Sequence, residues 1–493
     1  MYKTNVQWRL FLVLFLTLAG CGGSSGSLQS PTPAPLSDHN LNLIFVVSAD
    51  LAFQASGDVN PDTANLTSQG LQRSLMMATF LRRRVLGGKN VTGVYALEPM
   101  SHLQTAGNYP DMAAPETIQE FALENQITLT GQGQTYTANS YPINASYAPG
   151  LIPSAVATPA VPCANSCQGL DFADQGGDNE KLVSGIISAK VAGFYVFSAP
   201  WEAVSALLGS INTSEGYNLS VPTSYAGPNF IYAISIAPSG SARLVTFNSH
   251  LNPSSTYPAL PAPGAASTPC IAQAHFTITV TGSSMGVAIP PTINKNETLY
   301  MVRHAEAHPV QTFEDGNYVC AGQWRALDLP NALKGNIVTP DLVYSIDPAQ
   351  ATPGGQSASG DSTWSYVRPS LTIEPYAIAN GVPYGLAASF ELGAQNPPQL
   401  ATVASGFFFN GGQFSNQTVL MAWEHDHIPP TVNALLASYF PNGGGPAPAP
   451  GWPDDDYDTI WTVTLDANGN LSVDNSLCEG IDSATLPATC PEF

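Results

Sequence analysis

Thr298-Leu299-Tyr300-Met301-Val302-Arg303-His304-Ala305-Glu306 is an apolar run that ends abruptly in charge. Thr298 to Val302 reads as a buried strand, because a continuous apolar run this short suits a strand covered on both faces. Arg303 and His304 then fall where the strand ends, which is where open α/β sheets present groups to a ligand. Leu43-Ile44-Phe45-Val46-Val47 reads as a second copy of that strand.

The likeness extends outward from both runs. Gly70-Leu71-Gln72-Arg73 and Gly322-Gln323-Trp324-Arg325 each lead into a helix, Arg325 being expected at the surface. Val94-Tyr95-Ala96-Leu97-Glu98-Pro99 matches Val343-Tyr344-Ser345-Ile346-Asp347-Pro348. Later, Phe194–Phe197 precedes Ser205–Leu208 as Val419–Trp423 precedes Asn433–Leu436. Each half closes on a strand and turn, Ile231–Ile236 before Ser239-Gly240 and Ile460–Leu465 before Asn468-Gly469. Strands alternating with helical patterns predict two tandem α/β domains with mainly parallel sheets. The predicted bounds are 41–250 and 297–493. A linker with an extra strand at Ala274–Val280 fills 251–296, and Ala351–Ser362 is expected to be a surface insertion.

The first forty residues read as processing and tether. Lys3 and Arg9 form a basic region ahead of the short apolar stretch Leu10–Leu18, and Leu18-Ala19-Gly20-Cys21 resembles a bacterial lipobox in which Cys21 is lipidated. Residues 1–21 are thus a lipoprotein signal segment and 22–40 a flexible tether. The expected location is the cell envelope, periplasmic or at the cell surface, on the outer membrane in a Gram-negative cell. The only expected membrane contact is the lipid on Cys21. Six further cysteines suit an oxidising compartment. One of many pairings is Cys163–Cys167, Cys270–Cys320 and Cys478–Cys490.

A net charge of −21 argues against nucleic acid as a partner. Any anion site must be built locally from a few arginines and backbone N–H groups. The second half supplies such a set: Arg303, His304, Arg368 and His425, each where a strand ends or a helix begins. Two guanidinium forks match the oxygens of a phosphoryl group, and two histidines allow a nucleophile and a donor. With the arginines carrying the positive charge, the scheme needs no metal and no cofactor. A metal site from His304, His308, His425 and His427 is the competing reading, disfavoured by those arginines.

Arg303-His304-Ala305-Glu306, Arg368-x-x-x-Thr372 and Trp423-Glu424-His425-x-x-Ile428-Pro429 together resemble the histidine phosphatase superfamily, across most of both halves. The resemblance implies two tandem phosphoglycerate mutase-like domains with helices on both sheet faces. It implies a phosphatase acting on a small phosphorylated substrate through phosphohistidine at His304. Arg303, Arg368 and His425 would hold the phosphoryl oxygens, and the acid would be Glu391, the favoured choice, or Asp426. Glu306 and Glu424 would orient histidines. The alternative is a lipid-anchored binding or scaffold protein with the same fold and no turnover. Ala305 departs from the family's usual Gly, and Val310 stands where many members have Asn.

The first half lacks this set. Aligned on its opening strand, Ser48 and Ala49 stand for Arg303 and His304, Ser101 for Arg368, Phe197 for His425 and Ala199 for His427. It is expected to be a degenerate copy, with Asp50 and His102 as exposed loop residues. The acidic run Trp452–Asp458 is expected to form a turn rather than a calcium loop.

Overall fold

The computed structural model describes residues 33–53, 57–131, 133–145, 169–260, 273–308, 313–349, 351–353, 363–387 and 397–493. Glu391, Val310, Cys21, Cys163, Cys167 and Cys270 lie outside the described residues, as do residues 1–32, which include the expected signal segment and most of the expected tether. Residues 33–493 form one compact unit.

That unit holds two sheets. The first contains β1 (Leu41–Val47), β2 (Gly93–Ala96), β5 (Ile143–Asn144), β6 (Gly193–Ala199), β7 (Phe230–Ile236) and β8 (Ala242–Asn248), and a separate hairpin pairs β3 (Gln126–Gly131) with β4 (Gln134–Asn139). The second contains β9 (Thr277–Val280), β10 (Glu297–Arg303), β11 (Leu342–Ile346), β14 (Tyr384–Ala387), β15 (Thr418–Trp423), β16 (Thr459–Leu465) and β17 (Leu471–Cys478). A small hairpin, β12 (Ala351–Pro353) with β13 (Thr363–Ser365), frames the glycine-rich insertion.

The two sheets run in the same order. The first is β5-β2-β6-β1-β7-β8 and the second β14-β11-β15-β10-β16-β17, with β9 added at the edge. Both are mixed rather than mainly parallel: β6–β1 and β15–β10 are parallel, whereas β1–β7, β7–β8, β10–β16 and β16–β17 are antiparallel. The tight turns at Ser239-Gly240 and Asn468-Gly469 account for the β7–β8 and β16–β17 pairs, since a strand that returns through a short turn must run antiparallel.

Alternation along the central strands sends side chains to helices on both faces. In β10, Leu299 and Met301 join Phe408 of α7 (Pro397–Phe409) and Leu435 of α8 (Ile428–Ser438), whereas Tyr300 and Val302 join Leu329 of α5 (Cys320–Ala332) and Ile373 of α6 (Arg368–Asn380). In β1, Leu43 and Phe45 meet Val183 of α3 (Asp178–Ala189) and Leu208 of α4 (Trp201–Ser214), and Ile44 and Val46 meet Met77 of α1 (Ser68–Phe80) and Phe121 of α2 (Ala113–Leu123). One apolar cluster crosses from half to half, combining Ile118 and Phe121 with Ala305, Tyr318, Val367 and Leu371. No helix among the described residues is long and apolar enough to cross a membrane.

Polar contacts join the halves as well. Gln119 donates to Asn317 Oδ1 at 2.8 Å, and Ser140 Oγ donates to Asp315 at 2.7 Å. Two buried carboxyl pairs also meet there, Glu98 with Asp347 and Glu116 of α2 with Glu374 of α6. A disulfide joins Cys320 to Cys490, which overturns the expected pairings Cys270–Cys320 and Cys478–Cys490. Cysteine spacing carries no information on which ends of the chain meet. Here the start of α5 and residue 490 arrive together from 170 positions apart.

Ladder register corrects the alignment of the halves. Val46 pairs with Ser198 as Val302 pairs with Ala422, and Ser48 donates to Ala199 O as His304 donates to Trp423 O. Val47 and Ser48, not Ser48 and Ala49, therefore occupy the places of Arg303 and His304. Phe197 and Ala199 lie within β6 and so do not stand opposite His425 and His427, which follow the end of β15; the connection to the next helix is shorter in the first half, α4 starting two residues past Ala199 and α8 five past Trp423. A run of apolar residues has no internal mark to fix its register, which is why the alignment slipped. Ala113-x-x-x-Thr117 is the counterpart of Arg368-x-x-x-Thr372, because each Thr hydroxyl bonds to the carbonyl four residues earlier as the helix begins. Ala113, and not Ser101, stands for Arg368.

Candidate active site at the end of β10

His304 leaves the end of β10 and is 2% exposed. Its Nδ1 lies 2.8 Å from the Ala305 carbonyl, an acceptor, so Nδ1 carries the proton and Nε2 the lone pair. Burial, with Arg368 and Arg303 beside it, holds its pKa well below the usual histidine range. That direction favours the neutral ring. Ala305 N–H donates to Thr372 Oγ1 at 2.9 Å, so the Thr four residues into α6 ties down the loop that carries His304.

Arg368 opens α6. Its Nη1 and Nη2 both donate to Glu314 at 2.6 Å, Nη1 reaches Asn317 O, and the guanidinium lies over the Tyr366 ring. Glu314 and Asn317 belong to the loop that Gln119 and Ser140 of the first half hold. Arg303 is fixed otherwise: Nη1 faces the carbonyls of Pro453, Asp454 and Asp456 and the guanidinium covers Tyr457 at 3.9 Å. The acidic run is thus a turn that uses its carbonyls to seat an arginine. Nε of Arg303 and Nε of Arg368 are both buried with no acceptor. Buried donors left unpaired cost on the order of 1–3 kcal/mol each and favour an anion beside them.

His425 follows β15. Nδ1 is 2.6 Å from Glu424 Oε1, while Nε2 is 3.2 Å from Asp454 Oδ1 and 3.8 Å from Asp426 Oδ1. Burial alone would depress its pKa, but Glu424 more than offsets that and the result is raised. Glu424 sits between His425 and His427, 2.7 Å from His427 Nδ1, and its own pKa is pushed far down by both despite burial. Donor atoms of His304, Glu424 and His425 all fall within 4.8 Å of one another. Asp426 is largely exposed at the rim, and burial raises its carboxyl pKa.

The structure therefore brings Arg303, His304, Arg368, His425 and Asp426 close together. His308 is elsewhere, 3.1 Å from Asp315, and does not join a four-histidine cluster. Two expectations are corrected. Glu306 touches no histidine in its hydrogen bonds: Arg325 and Ser483 hold its carboxylate. Arg325 is not at the surface but fully buried between Glu306 and Glu479. The glycine three residues earlier is what permits this. A Cβ on Gly322 would lie 2.6 Å from Glu306 O, and one on Gly70 only 2.2 Å from Asp58 O, the carboxylate residue that Arg73 binds. Sequence reasoning missed Glu314, Tyr366, Asn317 and Tyr457, none of which carries a local pattern.

No protein-family model matches the chain. No curated protein matches it either. Among solved structures, a mycobacterial glucosyl-3-phosphoglycerate phosphatase aligns with 14% identity over 36% of this chain and 97% of its own, at a TM-score of 0.23. A mycobacterial hydrolase aligns with 13% identity over 38% and 94%, at 0.24. A mutant of the phosphoserine phosphatase of Entamoeba histolytica, in complex with phosphoserine, aligns with 15% identity over 35% and 93%, at 0.18.

Proposed function

We propose that this protein is a histidine phosphatase that hydrolyses small phosphomonoesters at a single site. The observation that carries the reading is a neutral His304 beside two arginines whose buried Nε–H groups lack acceptors. His304 Nε2 attacks phosphorus, the P–N bond forms as the P–O bond to the alcohol breaks, and Arg303, Arg368 and cationic His425 stabilise the equatorial oxygens. A carboxylic acid protonates the departing alkoxide. The resulting carboxylate then takes a proton from water as water attacks phosphorus and the P–N bond breaks. The 3.8 Å from Asp426 Oδ1 to His425 Nε2 supports giving Asp426 that role, with Glu391 as the other choice.

The matching strand order of the two sheets supports reading residues 41–250 as a degenerate copy of 297–493. Its role at the site is to hold the loop of Glu314 and Asn317 that seats Arg368. Export and a lipid on Cys21 complete the proposal and rest on the leader sequence. The purified chain is expected to hydrolyse p-nitrophenyl phosphate, and His304→Ala to abolish this. Unchanged turnover in that variant removes His304 from the mechanism. Absence of turnover together with absence of phosphate or vanadate binding favours a scaffold instead. For the acid, Asp426→Asn should slow alkyl phosphates far more than the nitrophenyl ester, whose leaving group needs little protonation.

A further inference from the structure

Asp50, His102 and Asp111 meet in the first half, at the strand end where the second half holds His304. Asp50 lies two residues beyond Ser48, His102 follows the short turn after β2, and Asp111 precedes α2. Asp50 is 1% exposed and Asp111 is fully buried. The exposed-loop reading of Asp50 and His102 is therefore corrected. His102 Nδ1 is 2.8 Å from Asp111 Oδ2 and 3.7 Å from Asp50 Oδ2, and its ring stacks on Phe172 with centroids 3.7 Å apart.

Both carboxylates are oriented the same way. One oxygen of each is held by a backbone N–H two residues on, Asp50 Oδ1 by Ala52 and Asp111 Oδ1 by Ala113. The other oxygen of each is turned toward His102 Nδ1. Asp50 Oδ2 accepts no hydrogen bond, although the residue is almost wholly buried. Glu202, in the first turn of α4, adds a further negative charge near all three and also has a buried oxygen without a donor. Among the described residues no Lys or Arg pairs with any of the four. Even a protonated His102 leaves the group negative.

We propose that Asp50, His102 and Asp111 form a binding site for a divalent first-row cation, zinc foremost, with Glu202 or water in the fourth position. Tetrahedral ligands with bonds of about 2.0–2.1 Å sit roughly 3.3 Å apart, and the two distances from Nδ1 bracket that value. One imidazole with carboxylates suits zinc over magnesium, and zinc outcompetes manganese for such donors. The cation would occupy the pole that Arg303 and Arg368 make positive in the other half. The proposal does not depend on catalysis at His304.

The test is equilibrium dialysis of the chelator-stripped full chain against zinc chloride, with bound metal counted by mass spectrometry. One equivalent is expected, retained in His304→Ala, lost in His102→Ala and bound at least tenfold more weakly in Asp50→Asn. Asp50→Asn is nearly isosteric, and circular dichroism of each variant reports its fold. Cobalt should give the visible bands of a tetrahedral site in the wild type. Absence of bound zinc at about 100 µM, equal binding by all variants, or loss in His304→Ala instead would overturn the assignment.

Discussion

Thr372 Oγ1 accepts the backbone N–H of Ala305 at 2.9 Å while its own hydroxyl donates to Arg368 O at 2.6 Å. One side chain thus links the loop that carries His304 to the first turn of the helix that presents Arg368. Thr372→Val keeps the volume and removes both bonds. Because positioning errors well under the width of an atom cost catalysis heavily, kcat for p-nitrophenyl phosphate should fall at least tenfold with little change in thermal midpoint. Steady-state kinetics beside a melt will decide this, and an unaltered kcat would leave the Thr as a helix residue only.

Glu424 should set the alkaline limb of activity. The cationic form of His425 is the useful one, and Glu424 raises its pKa against the pull of burial and Arg303, with Asp426 helping and Asp454 3.2 Å away. Activity, and the stability this pair contributes, is present below the ordinary histidine value and is lost as pH rises through the raised one. Glu424→Gln should move the midpoint of that limb to lower pH. His304 itself, with its depressed pKa, should not limit rate in the mildly acid range. A limb that stays in place in the variant would assign it to another group.

The carboxyl pairs between the halves predict an acid-favoured fold. Burial pushes Glu116 up to about 7, and burial plus Glu116 pushes Glu374 well above its usual value. Burial and Asp347 do the same to Glu98. In the unfolded chain these groups ionise near the ordinary value, about 4.3 for Glu. From there to about pH 7 the folded protein keeps protons that the unfolded chain sheds, so stability falls as pH rises. The thermal midpoint should drop between pH 5 and 7, and Glu116→Gln should flatten that slope. An equal midpoint across this range in the wild type would contradict the pairing.

Arg325 offers a test of the core. Glu306 and Glu479 both contact its guanidinium, at 2.7 and 2.5 Å, with all three groups buried. Arg325→Met strands two carboxylates, and breaking such a buried network costs about 3–5 kcal/mol. Urea denaturation should register that loss, and Arg325→Met with Glu306→Gln and Glu479→Gln should recover a large part of it.

The central strands were legible in the sequence because strands covered on both faces read as near-continuous apolar runs, as Leu43–Val47 of β1 and Leu299–Val302 of β10 do. The sequence also made Arg303, His304, Arg368 and His425 legible as a set, since each sits at the end of a strand or the start of a helix. Glu314 and Tyr457 were illegible for a physical reason. Each acts through a guanidinium supplied by a distant segment, and nothing in Glu314-Asp315-Gly316-Asn317 or Asp454-Asp455-Asp456-Tyr457 forecasts which arginine will arrive. The one-residue slip between Ala49 and Ser48 has the same root. Hydrogen-bond register is a property of two strands, and one apolar strand does not encode it.

The apolar cluster in which Phe121 and Ile118 touch the surroundings of Ala305 and Leu371 has a genetic meaning. Under the proposed function, a random screen for its loss should return hits throughout residues 41–250, away from the groups around His304. Their signature would be low abundance or a shifted KM with the reactive groups intact. Selection on the chemistry would therefore preserve the silent half nearly as strictly as the half that reacts.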